Sequence, residues 1–470
     1  MPSLDGSGNL TARTATNAVI NVTGAGWGAV LGVIQVPVII HALGAEVYGV
    51  YVLITVVAGY LGLLELNLSA ALVKYVAEYA GRSDRARVED VIRTTMALYI
   101  ALGVCAAVVF LTGGRALMPF LNIPPSATAA ALRALTVTAL ALPFTFVSGT
   151  LAMVPAAVGR FDVSVALSAA ISTIATAASI AVALLGGKLV ALALVNGITG
   201  VVAVVASVGV GKRIFPGVSF WPRWNRTRAG ALLRFSAFSF LGKLSGTVVA
   251  TVDRVAIGII LGPAAVAYYT VPSGLIRRIS GFLNRMAYVV LPVASELTGR
   301  LEFDRLQRAY VRGARITWTI ALLVGVGLAI FAHPLLRIWV GSDFAQRGTA
   351  VMQFLALAFV ITTASNVPAL ITEGMGHPKV TGAFSTGSMI INLALLVPAL
   401  RMFGIPGVAA VWLAATTSMT LPFIHYAQRR LLHLPWRYTV QHIYLPSVAM
   451  IRADLRDVTG ILLGRLSQHP

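Results

Sequence analysis

The sequence predicts an all-α integral membrane protein: about 12 transmembrane helices in two six-helix lobes, related by a parallel internal repeat, with both termini cytoplasmic. Three features predict it: an apolar composition, apolar runs of membrane-spanning length, and self-similarity between the two halves of the chain.

Composition fixes the solvent. Of 470 residues, 57% are hydrophobic and 11% charged, and the mean hydropathy is +0.84, far from the balance of a soluble domain. Such a length holds roughly a dozen spans of about 20 residues with short connections, and no sizeable soluble domain. The single cysteine, Cys105, lies in YIALGVCAAVVFL, so a disulfide framework is excluded and the thiol reads as a packed small hydrophobe. MPSLDGSGNLTARTAT has no cleavage pattern ahead of the first apolar run, which therefore reads as a retained span.

Apolar runs between charged or Pro/Gly-rich punctuation place spans at 17–40, 47–70, 94–113, 131–154, 163–185, 189–210, 235–261, 265–291, 316–338, 350–371, 380–400 and 405–426. Without period-two alternation these are helices rather than strands of a barrel. The chain then divides into a tail (1–16), an N-lobe (17–210), a basic linker (211–234), a C-lobe (235–426) and a C-terminal tail (427–470). Arg452, Asp454, Arg456 and Asp457 keep the last segment from spanning, so it reads as an amphipathic helix on the cytoplasmic membrane surface.

With the N-terminus inside, 25 of the 36 Lys and Arg residues fall on the cytoplasmic side and 6 on the other, the asymmetry that orients membrane proteins. Basic loops facing anionic headgroups account for the net charge of +20, and nucleic acid is not expected as a partner.

At an offset of 218 residues LGAEVYGVY (43–51) lies over LGPAAVAYY (261–269), and EYAGRSDRAR (78–87) over ELTGRLEFDR (296–305). At 217, VPAAVGRFDV (154–163) lies over ITEGMGHPKV (371–380), and Gly187 over Gly404. A six-helix unit used twice enters the membrane in the same sense each time, and a cleft between the copies is the default place for a substrate.

Charges inside spans locate the candidate site. TVVATVDRVAIGIILGP (247–263) carries Asp253 and Arg254, and the seventh and eighth spans also hold Lys243, Arg277, Arg278 and Arg285. The matching spans of the first copy offer Gln35, Glu65 and Asn67. A basic side chain in mid-bilayer costs at least about 2.5 to 3.5 kcal/mol, so five of them must face water or partners. Lys243 and Arg254 share a helix face, as do Arg278 and Arg285. A column of cations suits an anion, and guanidinium forks match phosphate oxygens. Asp253 is read as tuning that charge, as linking cation binding to lobe closure, or as part of a structural ion pair with Arg254 or Arg277; Glu65 is the weaker candidate for the same coupling or pairing role.

The run TVDRVAIGIILGPAAVAYYTVPSGLIRR, the opening LGAEVYGVYVLITVVAGYLGLLELNLSAALVKYVAEYAGR and FGIPGVAAVW (403–412) resemble the polysaccharide transporters, the O-antigen and oligosaccharide flippases of the multidrug/oligosaccharidyl-lipid/polysaccharide exporter superfamily. The similarity runs over nearly all of 15–430. It implies a multi-pass protein of the bacterial plasma membrane that moves an undecaprenyl-pyrophosphate-linked oligosaccharide from the inner to the outer leaflet by alternating access, with membrane lipids and polysaccharide polymerase machinery as partners and no cofactor. By position, Asp253 and Arg254 occupy the family's charged place in helix 7, and Arg277, Arg278 and Arg285 its cationic cavity. Glu65 carries over weakly, because Leu66 and Asn67 replace the usual apolar-Gly pair after it.

Other functions fit less well. A multidrug antiporter would keep an acid in the first span, which has none, and a lipid II exporter would add two helices. A membrane enzyme would need acids in a substantial outer loop, where only Glu46 and Asp343 occur. GVGKR (209–213) lacks the upstream Gly and the following Ser/Thr of a phosphate-binding loop. The seven histidines form no ligand cluster, and no metal is expected.

Overall fold

The structure, a computed structural model, describes residues 7–62, 68–230, 232–234, 236, 251–288, 290–447, 449–450 and 452. Glu65, Lys243 and residues 453–470 of the tail lie outside the described residues. Most of those described are helical, with no strand among them, and eight of their helices are long and apolar enough to cross a membrane.

Helix α1 (Ser7–Leu61) turns sharply at Gly44 (φ 78°, ψ 163°), which separates the first two expected spans. It is followed by α2 (Leu68–Gly81), α3 (Arg85–Leu117), α4 (Pro125–Leu151), the short α5 (Val154–Ala157), α6 (Phe161–Leu184) and α7 (Leu189–Ile214). After the linker come α8 (Val252–Leu261) and α9 (Pro263–Ala287), separated by Gly262 (φ 86°, ψ 175°). Then follow α10 (Val290–Gly299), α11 (Phe303–Ile330), α12 (Ala332–Val340), α13 (Ser342–Ala364), α14 (Asn366–Gly374), α15 (Pro378–Tyr426) and α16 (Trp436–Thr439). Helix α15 turns at Gly404 (φ 65°, ψ −150°), between the last two expected spans. The expected spans 316–338 and 350–371 are each interrupted, at Phe331 and Ser365.

The duplication read from sequence reappears in backbone and ion pairs. Gly44 and Gly262, Ser83 (φ 57°) and Leu301 (φ 58°), and Gly186 (φ 80°) and Gly404 are left-handed pairs 218 residues apart; Gly159 (φ 79°) and Gly376 (φ 84°) are 217 apart. Gly186, not the neighbouring Gly187, is therefore the counterpart of Gly404. Glu78 bonds Arg82 at 3.0 Å as Glu296 bonds Arg300 at 2.8 Å. Asp84 bonds Arg87 at 3.0 Å as Glu302 bonds Arg305 at 2.8 Å. A left-handed leucine is sterically costly, so its recurrence at the serine's place marks an inherited turn.

The chain folds as two compact units, Met1–Val271 and Pro272–Pro470. In the first unit Tyr99 of α3 is fully buried, edge-on to Phe146 of α4. These two helices meet where Gly103 leaves room for the Pro143 backbone, 2.5 Å from where a Cβ would stand. Gly24 likewise admits Val165 of α6, whereas Gly28 has open space. Cys105 is exposed on α3 rather than packed. Val108, Leu140, Val205 and Ile198 also point outward on these apolar helices, as lipid-facing side chains do.

In the second unit Tyr310, Leu306, Val367 and Ile371 form a core completed by Leu432, Leu434 and Ile443. Gln307 and Trp318 of α11 donate to the carbonyls of Leu432 (2.7 Å) and Tyr444 (3.1 Å), and Gln428 donates to the hydroxyls of Tyr310 and Tyr444. The described start of the tail is thus packed on α11. Burial pushes the Tyr444 hydroxyl up to about 12 against the opposing bond from Gln428. Its contribution is therefore present at and below the ordinary tyrosine range and is lost as pH rises through about 12.

Where α1 passes α9, a Cβ on Gly49 would stand 1.8 Å from the Pro263 carbonyl oxygen, and rigid backbone cannot yield as a side chain can. Gly49→Ala is expected to destabilise the detergent-solubilised protein by about 1 to 3 kcal/mol in thermal unfolding. Gly59→Ala, at a position with open space, is expected to leave it within about 0.5 kcal/mol.

Candidate functional site

The charged pair read from sequence sits at the first turn of α8, where exposed N–H groups and the helix dipole favour a carboxylate. Asp253 Oδ1 accepts the Arg254 amide at 2.8 Å, and Oδ2 accepts the Tyr269 hydroxyl at 2.5 Å. Tyr269 belongs to α9 and is buried. Asp253 lies nine residues before the Gly262 break and Tyr269 seven after it, so the turn folds one helix onto the other and brings them together.

Arg254 is only 6% exposed, and its Nε and Nη2 have no hydrogen-bond partner among the described residues. Close by, Tyr60 near the end of α1 shares a hydrogen bond with Thr251 and feels the charges of both Asp253 and Arg254. Opposite the charged end, Ile257 is fully buried and Gly258 admits Leu53, so apolar packing holds α8 against α1. Asn122 Nδ2 donates to the Ile259 carbonyl at 2.8 Å and fixes the far end of the same helix. A buried guanidinium with orphaned donors is expensive in a low dielectric, and an anion is the group that satisfies it.

The other expected cations belong to the second unit. On α9, Arg277 and Arg285 are exposed, and Arg278 is half-buried beside Gly274. Asn284, next to Arg285, is hydrogen-bonded to Asn366 of α14. Arg254 thus belongs to the first unit, where it is enclosed, and the three arginines belong to the second. Lys243 and Glu65 remain outside the described residues. Among the described residues no group of three or more His, Cys, Asp or Glu side chains could hold a metal.

Sequence reasoning missed Tyr269, Tyr60 and the Tyr51–Asn196 hydrogen bond (3.0 Å). The repeat carried a signal for one of them: Tyr51 and Tyr269 coincide in the two copies, and Asp253 coincides with Gln35. Tyr269→Phe leaves a carboxylate oxygen without its donor and is expected to cost about 1 to 3 kcal/mol in thermal unfolding. Asn196→Ala, whose amide is exposed, is expected to cost less than about 1 kcal/mol in the same measurement.

Comparison with known proteins now bears on this arrangement. The sequence matches the polysaccharide biosynthesis protein family over residues 14–298. It is 20% identical over 402 residues to the "Putative O-antigen transporter" of Shigella flexneri, covering 84% of this chain and 93% of the relative. It is also 20% identical over 198 residues, 42% of each chain, to the "Probable low-salt glycan biosynthesis flippase Agl15" of Haloferax volcanii. Among solved structures it superposes on the inward-facing conformation of a multidrug resistance MATE family transporter of the MOP superfamily, with a TM-score of 0.68, 15% identity and coverage of 89% and 95%. A MOP superfamily transporter from Pyrococcus furiosus, described as having a binding pocket of reverse polarity, gives 0.61 at 16% identity, with coverage of 89% and 96%. These likenesses establish the fold, and the match over more than half of its length establishes that the chain belongs to the polysaccharide biosynthesis protein family.

Proposed function

We propose that the chain is a flippase that moves a polyprenyl-pyrophosphate-linked oligosaccharide from the inner to the outer leaflet of a bacterial plasma membrane by alternating access. The observation that carries this reading is Arg254, a buried guanidinium with two unsatisfied nitrogens in a chain of this family. In the bound state a phosphate oxygen pair takes those donors, and Arg277, Arg278, Arg285 and Lys243 supply further positive charge along the path. Asp253, held by Tyr269 and by the Arg254 amide, moderates the charge of the neighbouring guanidinium or links cation binding to lobe closure.

The topology proposed with it is 12 spans in two six-helix lobes with both termini cytoplasmic. A 54-residue candidate span, Pro378–Leu431, is far too long for one crossing of a hydrocarbon core about 30 Å thick, and its turn at Gly404 supports reading it as two. Gly44 divides Gly26–Leu61 in the same way. The excess of basic residues in the linker and the loops after the second and eighth spans puts those segments inside. The names of the relatives from Shigella flexneri and Haloferax volcanii support a lipid-linked glycan as cargo, with an undecaprenyl carrier and a downstream polymerase as the proposed context.

The test is complementation of a bacterial strain lacking its own oligosaccharide flippase, at matched membrane expression. Wild type is expected to restore surface polysaccharide, and Arg254→Ala and Arg278→Ala to lower it by about tenfold or more, the effect of about 1.4 kcal/mol per lost charged contact. Arg254→Lys, which keeps the charge but loses the fork, is expected to fall between them. Full activity of both alanine variants would assign the cations to the scaffold and end the anion reading.

A further inference from the structure

A second cationic site lies away from α8, where the linker returns to the first unit. The linker is stitched to α3 by two contacts of one arginine: Arg93 Nε donates to the Trp221 carbonyl at 3.0 Å and the Arg93 carbonyl accepts the Arg223 amide at 3.3 Å, while Arg93 Nη1 bonds Glu89 on its own helix at 2.8 Å. Arg228 adds a bond to the Tyr79 hydroxyl at 2.9 Å and covers that ring at 5.2 Å. Val218 and Phe220 are buried, Phe220 against Gly211. The linker is therefore a fixed wall and not a tether.

Between this wall and α3 is a cavity of about 450 Å³, lined among others by Asp90, Arg93, Thr94, Arg223, Trp224 and Arg226. Three guanidinium groups face one carboxylate, and no carboxylate among the described residues pairs with Arg223 or Arg226. Thr94 is 1% exposed and its hydroxyl has no partner among the described residues, so the cavity contains an orphaned buried donor beside unspent positive charge. Trp221 and Trp224 are 76% and 57% exposed, and tryptophans so placed sit at the level of lipid headgroups.

We propose that this cavity binds the phosphodiester of an anionic lipid headgroup from the leaflet on the linker's side of the membrane. Arg223 and Arg226 contact the phosphate oxygens, Thr94 donates its hydroxyl, and Asp90 accepts from a headgroup hydroxyl such as those of phosphatidylglycerol. Arg93, already bonded to Glu89 and the linker, is a positioning residue. A free phosphate offers the same oxygens; the exposed tryptophans favour a lipid, whose acyl chains remain in the bilayer beside them. The site is independent of Arg254, so failure of the transport reading leaves it standing.

The test uses the full chain in detergent micelles, with retained lipid counted by native mass spectrometry and thermal unfolding followed in parallel. Phosphatidylglycerol is expected to bind and raise the unfolding midpoint where phosphatidylcholine does not, and Arg223→Gln/Arg226→Gln to weaken its binding about tenfold or more. The control Arg300→Gln/Arg305→Gln removes the same charge elsewhere and is expected to bind as wild type. Thr94→Val is expected to weaken binding while leaving the lipid-free midpoint unchanged or raised, because it removes an unsatisfied buried group. Equal loss of binding in the control pair, unchanged binding in the Arg223/Arg226 pair, or a Thr94→Val protein that is merely less stable would each overturn the proposal. Protection by millimolar inorganic phosphate equal to that by phosphatidylglycerol would assign the cavity to soluble phosphate and overturn the lipid.

Discussion

Hydrocarbon cannot hydrogen-bond a peptide group, and the architecture follows from that constraint. Every apolar run must close its own backbone bonds as helix, so the chain can change direction only where a residue tolerates a broken ladder. Gly44, Gly262 and Gly404 are such places, each left-handed and each followed at once by another helix. The breaks set the geometry of the charged site: because α8 stops at Gly262 and α9 restarts at Pro263, Tyr269 meets Asp253 and the carboxylate is satisfied inside the first unit. Arg254 is then left with donors that the fold itself does not fill.

Much of this was legible in the residues. Hydropathy announced the helices, and the offset of 218 predicted a duplication that returns as paired turns and paired ion bridges, down to Ser83 and Leu301 sharing an unusual backbone conformation. Sequence was weaker at helix ends, because an apolar run continues through a break: Phe331 and Ser365 interrupt spans that hydropathy reads as continuous. It was weakest on partners. Spacing put Lys243 and Arg254 on one face, but spacing along a helix says nothing about what packs across it, and α1 brings Leu53 onto Gly258 and Tyr60 near Arg254. The same limit explains the fate of Cys105, whose apolar neighbours could not distinguish a packed position from an outward-facing one.

The duplication is also where the copies have parted. Tyr51 and Tyr269 hold equivalent positions, but the first is bonded to the exposed amide of Asn196 and the second to the carboxylate of Asp253, where the first copy has Gln35. One copy keeps a neutral polar contact at this place and the other has acquired an acid and an adjacent base. The scaffold of turns and surface ion pairs stayed symmetric while the buried polar chemistry did not. That is the expected division when backbone geometry is common to both halves and function is built from side chains.

The tail gives the second unit a particular order of assembly. Leu432, Leu434 and Ile443 complete a core that includes Leu306 and Tyr310, which precede them by more than 100 residues. During translation, at roughly 5 to 20 residues per second, the first unit has all its described helices in hand well before those late residues are made. The core of the second unit can close only when nearly the whole chain has left the ribosome. Truncation just before Leu432 would thus remove no span but would leave α11 without the segment that seals it.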